Sequence, residues 1–160
     1  MSKTRSSRSG GVLPLVGAIL GPAVGFVLMN FVEVPWLRSV IVPPPGMRIS
    51  VWLGEFQSRQ LMPLLFALIG GLVWWMIATL TRTGRDRREV WVIVALVILA
   101  LSITVAAVYV PQPRSGTFWM YTCTFLNGIL PFWLATVWCT PGSCRYAPPG
   151  AETILSRFGR

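Results

Sequence analysis

Charge is missing from four long stretches of this chain, and that spacing limits its fold more than any other feature. No Asp, Glu, Lys or Arg occurs from Gly10 to Val32, from Gln60 to Thr81, from Val90 to Pro113, or from Ser115 to Cys144. A helix needs roughly 20 apolar residues to cross a hydrocarbon core of about 30 Å, and each stretch is long enough. None shows the two-residue alternation of a barrel strand. In lipid, an unclosed backbone can satisfy its own hydrogen bonds only as a helix. The spacing therefore predicts an all-α integral membrane protein with four transmembrane helices at 12–32, 61–80, 90–110 and 118–139. A basic tail (1–11) precedes this 12–140 domain, and a Pro/Gly-rich tail (141–160) follows it.

Composition agrees. Charged residues make up 12% of the 160 residues and hydrophobic ones 54%, whereas a soluble domain carries about 25% charge. The net charge of +9 is placed beside the apolar spans, where it acts as a topology signal and faces anionic lipid headgroups. No nucleic-acid-binding pattern accompanies it. Four spans put the N-terminus, the 81–89 loop and the C-terminal tail on one side. That side holds ten of the 14 basic residues, the other side Arg38, Arg48, Arg59 and Arg114. The basic side is therefore expected to be cytoplasmic, with Arg82, Arg85, Arg87 and Arg88 as the strongest determinant. The expected location is a bacterial inner membrane or an organelle membrane, with both termini cytoplasmic. Trp36, Trp52, Tyr109 and Trp119 fall near the outer interface, Trp91 and Trp138 near the inner one; Trp74, Trp75 and Trp133 lie deeper. Lys3, Arg5 and Arg8 precede an apolar run longer than a signal-peptide core of about 7–15 residues, so a retained first helix is expected. Neither end carries a lipidation motif.

Small residues four apart let helix backbones approach closely. Gly17, Gly21 and Gly25 form such a face on the first helix, Ala67 and Gly71 on the second, Ser102 and Ala106 on the third. Pro22 in the first helix and Asn127-Gly128 with Pro131 in the fourth predict bends. In the long outer loop, Pro43, Pro44 and Pro45 predict a stiff extended segment, and Gly46 a turn. Beyond it Ile49, Trp52, Leu53 and Phe56 follow helical spacing, which predicts a short amphipathic interfacial helix before the second span. The alternative is an outward extension of that span; Pro63 favours the break.

Chemistry is sparse. The chain has no histidine, which excludes His-ligated haem, His metal sites and His general bases. Cys139 and Cys144 form a C-x4-C, a weak redox or metal signal that reads more simply as two reduced thiols; Cys123 reads as a small apolar residue. Glu33, at the outer end of the first helix, reads as an exposed interfacial carboxylate rather than a cation ligand or a partner of Arg38. Asn30 and Asn127 read as helix-packing amides. No P-loop, dinucleotide fingerprint or nucleophile elbow occurs, nor an inverted repeat.

These features predict a small non-catalytic accessory subunit of a larger membrane complex, of the respiratory, photosynthetic or secretion type. It would dock on other integral subunits through the glycine faces, Trp52, Phe56 and Pro43–Pro45. It needs no cofactor of its own; any bound lipid, quinone or pigment is expected to be held mainly by neighbours. A self-associating pore, holin-like protein or channel is the alternative, and a thiol oxidoreductase using Cys139 and Cys144 the weaker one.

Overall fold

The computed structural model describes residues 12–80, 87–140, 144 and 146–157. They are all-helical apart from turns and one isolated bridge, and four helical runs are long and apolar enough to cross a membrane. The first run is composite. Helix α1 (Val12–Leu28) passes through a π-helical turn (Met29–Glu33) into α2 (Val34–Val40). Then come α3 (Ile49–Leu80), α4 (Arg87–Tyr109), α5 (Thr117–Cys139) and a short α6 (Ala151–Arg157). The 41–48 and 110–116 connections share one end of the bundle, called the outer end after the orientation expected from the arginines. The start of α4 and α6 lie at the inner end.

The first run reaches Val40 without a break, well past residue 32. Proline explains the π turn. Pro35 has no N–H, and its ring would collide with the carbonyl of Phe31 in a regular helix. The Val34 amide instead reaches five residues back, to Met29 O, and opens the turn.

The second run also departs from expectation. The segment expected as a separate interfacial helix forms the first turns of α3, which continues through a buried Pro63 as one element of 32 residues. The amphipathic pattern of Ile49–Phe56 is real, but its apolar side meets protein: Trp52 and Phe56 are fully buried.

The two outer connections are tied together. The Val42 amide donates to Ser115 O at 3.1 Å, and the Arg114 amide to Val42 O at 2.8 Å. The Met47 amide donates to Pro44 O, with Gly46 at φ 80°. Pro at the second position and a positive-φ glycine at the third are what a type II turn requires. Gly116, at φ 90°, starts α5 where a Cβ would come within 2.8 Å of Val40 O. The Gln112 side-chain amide turns back onto the last carbonyls of α4, including Ala106 O at 3.3 Å.

Helix α5 is the hub. In its most apolar stretch 56% is buried, against 28% to 39% for the other spans. Small residues bring the other helices onto it. A Cβ on Gly17 would meet Trp138, one on Gly21 the Pro131 carbonyl at 2.1 Å, and one on Gly25 the Pro131 ring. Gly71 faces Ala135, and Gly128 of α5 faces Ser102 of α4. Ala67 is buried beside Phe132 in the inner apolar cluster, Ala106 beside Trp52, Phe56 and Met120 in the outer one.

Candidate functional sites: an outer cap over a polar layer

Each predicted site residue except Arg82 and Arg85 has a definite place. Gly17, Gly21, Gly25, Gly71 and Ser102 are used inside the chain, against α5. Trp52 and Phe56, expected to meet a partner, are instead the centre of the outer cap. They stack at 5.5 Å in one apolar cluster with Leu37, Ile41, Val110 and Met120. The Trp52 indole N–H donates to Pro111 O at 2.7 Å, so a buried indole polar group is satisfied and α3 is fastened to the α4–α5 connection. Trp36 and Trp119 meet edge to face at 4.6 Å on the rim. Pro43 and Pro44 are half-buried and Pro45 exposed. With Gly46, Met47, Arg48 and Val51, Pro44 and Pro45 line a shallow outer hollow of about 590 Å³.

One helical turn below this cap lies a layer of polar side chains. Gln60, Thr124 and Asn127 are buried; Asn30, Glu33 and Gln57 are half-buried. The Asn127 side-chain nitrogen donates to Glu33 Oε2 at 2.8 Å and to Gln60 Oε1 at 3.3 Å. Gln60 Nε2 donates to Thr124 Oγ1 at 2.7 Å, and Thr124 Oγ1 donates to Met120 O at 3.0 Å. At the wetter edge Gln57 Nε2 donates to Asn30 Oδ1 at 3.0 Å, and Asn30 Nδ2 to Phe26 O at 2.7 Å. Three helical runs thus contribute: the π turn, α3 and α5. Apolar cap residues lie above the layer, and Leu64, Gly25 and Pro131 below it.

Glu33 is therefore not the exposed interfacial carboxylate expected from its position. The run containing it continues to Val40, and the side chain turns toward α5. Asn30 and Asn127, expected as separate packing amides, enter one layer. Gln57, Gln60 and Thr124 were not singled out in the sequence. Gln57 and Gln60 belong to the stretch assigned to the outer loop; their spacing of three, on the face carrying Phe56, was the available signal.

The inner end is held by two tryptophan–threonine bonds. Trp74 Nε1 donates to Thr140 Oγ1 at 2.9 Å and Trp91 Nε1 to Thr136 Oγ1 at 3.0 Å, tying α3 and α4 to the end of α5. Trp133 Nε1 donates to Pro149 O at 2.8 Å and draws the tail against the bundle. Cys123, Cys139 and Cys144 are buried thiols. Thiol exchange needs an accessible sulfur, and Cys144 is enclosed by Arg87 and Ala78 O. Arg87, expected within the 81–89 loop, instead opens α4 and is only 5% exposed. Its guanidinium reaches Cys144 Sγ and Ala78 O. Arg88 is exposed; Arg82 and Arg85 lie outside the described residues.

No family model matches the chain, and no curated protein or solved structure is significantly similar to it.

Proposed function

We propose that this chain is a multi-pass membrane protein with both termini cytoplasmic, acting as a non-catalytic accessory subunit of a larger membrane complex. One observation carries the reading: the outer cap is built as a rigid platform on a bundle whose glycine faces are already closed. A bridge between its two connections, a type II turn and the Trp52–Pro111 bond all fix a surface over the connections and the start of α3. That surface presents Pro45, Arg48 and Val51 outward. Ordering loops costs about 1–2 kcal/mol per residue, a cost that a surface for docking justifies and a mere connection does not. The partners are other integral subunits, with anionic lipid headgroups on the cytoplasmic face. Any lipid, quinone or pigment would be held mainly by neighbouring subunits, and the membrane is a bacterial inner membrane or that of an organelle.

The test is purification of a tagged copy in mild detergent, with mass spectrometry of co-eluting proteins. Stoichiometric integral-membrane partners, reduced in an Arg48→Glu/Val51→Glu variant, are the expected result. A lone monodisperse monomer sinks the proposal. A self-associating pore is favoured only by the polar layer, which apolar residues close above and below; leakage of ions from reconstituted vesicles would revive it.

A further inference from the structure

We propose that the polar layer under the cap is a binding site for a single monovalent cation of the sodium class, held between Glu33, Gln60 and Asn127. The proposal stands on the geometry of the layer and is independent of the subunit reading.

The Asn127 nitrogen is the key. It sits 2.8 Å from Glu33 Oε2 and 3.3 Å from Gln60 Oε1, two acceptor oxygens from two other helical runs. Its partly positive N–H groups thus occupy the place between them that a small cation would take. Asn127 is only 2% exposed, so bulk water does not compete there. The amide torsion is broad and roughly two-fold, and a half-turn replaces Nδ2 with Oδ1. Three oxygens, one bearing a full charge, would then face one point.

The backbone adds further acceptors on the same residues. The Asn127 carbonyl lacks its regular α-helical donor, because the residue four positions on is Pro131. The Asn30 carbonyl is in the same position. Its α-helical donor, the Val34 amide, is committed to Met29 O, and the residue after it is Pro35. Both Asn30 and Asn127 also place their side chains in the layer. A membrane-embedded carboxylate with broken helical hydrogen bonding beside it is the arrangement by which transport proteins hold alkali cations.

Charge selects the valence. Among the described residues, Glu33 is the layer's one acidic group. A monovalent ion makes the site neutral, whereas calcium sites ordinarily gather several carboxylates. Access is from the outer half, along the half-buried Glu33, Asn30 and Gln57 edge between the first run and α3. The ligand set is hard oxygen throughout, which suits an alkali cation and not a soft metal.

The experiment uses the full chain in detergent. Thermal unfolding is followed while choline chloride is replaced by sodium chloride at constant ionic strength, and binding of radioactive sodium is measured at equilibrium. The expected result is a saturable rise in Tm and about one sodium bound per chain. Glu33→Gln should abolish both, while keeping its elution volume and its Tm in choline. Gln60→Leu should weaken binding at least tenfold. No saturable sodium binding by the wild-type protein overturns the proposal, whatever the variants do. Equal binding by wild type and Glu33→Gln also overturns it, because the ion would then sit elsewhere.

Discussion

At Gly21 a single hydrogen atom decides whether two helices can meet. A Cβ there would lie 2.1 Å from the Pro131 carbonyl and 2.8 Å from the Ala135 amide, both backbone atoms that no rotamer change can move. Gly21→Ala should therefore destabilise by about 1–3 kcal/mol, the usual cost of overpacking. Gly54, also helical, has nothing within 4 Å of an added Cβ. Gly54→Ala should be neutral or stabilising by up to about 1 kcal/mol, the propensity gain of alanine over glycine. Thermal unfolding in detergent, with the two variants side by side, reads the contrast; equal effects would mean that α1 does not close on α5 this way. Thr140→Val is a second test at this scale. It keeps the shape and leaves the Trp74 N–H without its acceptor, so it should cost about 1–3 kcal/mol. Gly21 was legible in the sequence as one of a small-residue series. Its partner was not, because spacing identifies a bare face but cannot say which helix covers it.

The first helical run shows how elements were legible in part. Its inward positions, Gly21, Gly25, Met29, Glu33, Leu37 and Ile41, recur every four residues. In a helix of 3.6 residues per turn, each step of four overshoots a full turn by about 40°. The π turn takes up part of that drift and keeps Leu37 and Ile41 facing the bundle. The four charge-free stretches located all four long helices, because desolvating a charge dominates sequence choice in lipid. The same rule misplaced their outer ends: Glu33, Gln57 and Gln60 read as loop, although α5 satisfies Glu33 and Gln60, and Asn30 of the first run satisfies Gln57. The cap itself was legible only as proline stiffness and a glycine turn. The Trp52 bond across 59 residues of sequence has no local signature. Trp52→Phe should keep the stack on Phe56 and lose about 1 kcal/mol with the indole bond. Trp52→Ala should lose about 3–5 kcal/mol through the cavity it leaves. Both would be read by thermal unfolding and by protease cleavage in the 41–48 connection, and a silent Trp52→Ala would show that the cap does not hold the loops.

For the whole molecule, the distribution of arginines predicts an orientation that labelling can check. The native thiols are buried, so cysteines introduced at Ser50 and Arg88, both exposed, stand out against a low background. Ser50→Cys should react with an impermeant maleimide in intact cells, and Arg88→Cys only after permeabilisation; the reverse pattern would invert the topology. Helix α3, at 32 residues, is about 48 Å long, well beyond a hydrocarbon core of about 30 Å. In the proposed topology its outer turns would therefore stand in the headgroup region or beyond unless the helix tilts strongly. A last consequence follows from α5 serving as the hub while being the fourth of the four spans in chain order. In the proposed topology, with synthesis at about 5–20 residues per second, the three earlier spans are made before the helix that the glycine faces of the first two fit. For those seconds the nascent protein exposes bare backbone seams, with Gln60 and Glu33 lacking their Asn127 partner. The proposed topology then predicts that chains truncated before Thr117, with these seams left open, are removed by membrane proteases rather than accumulate.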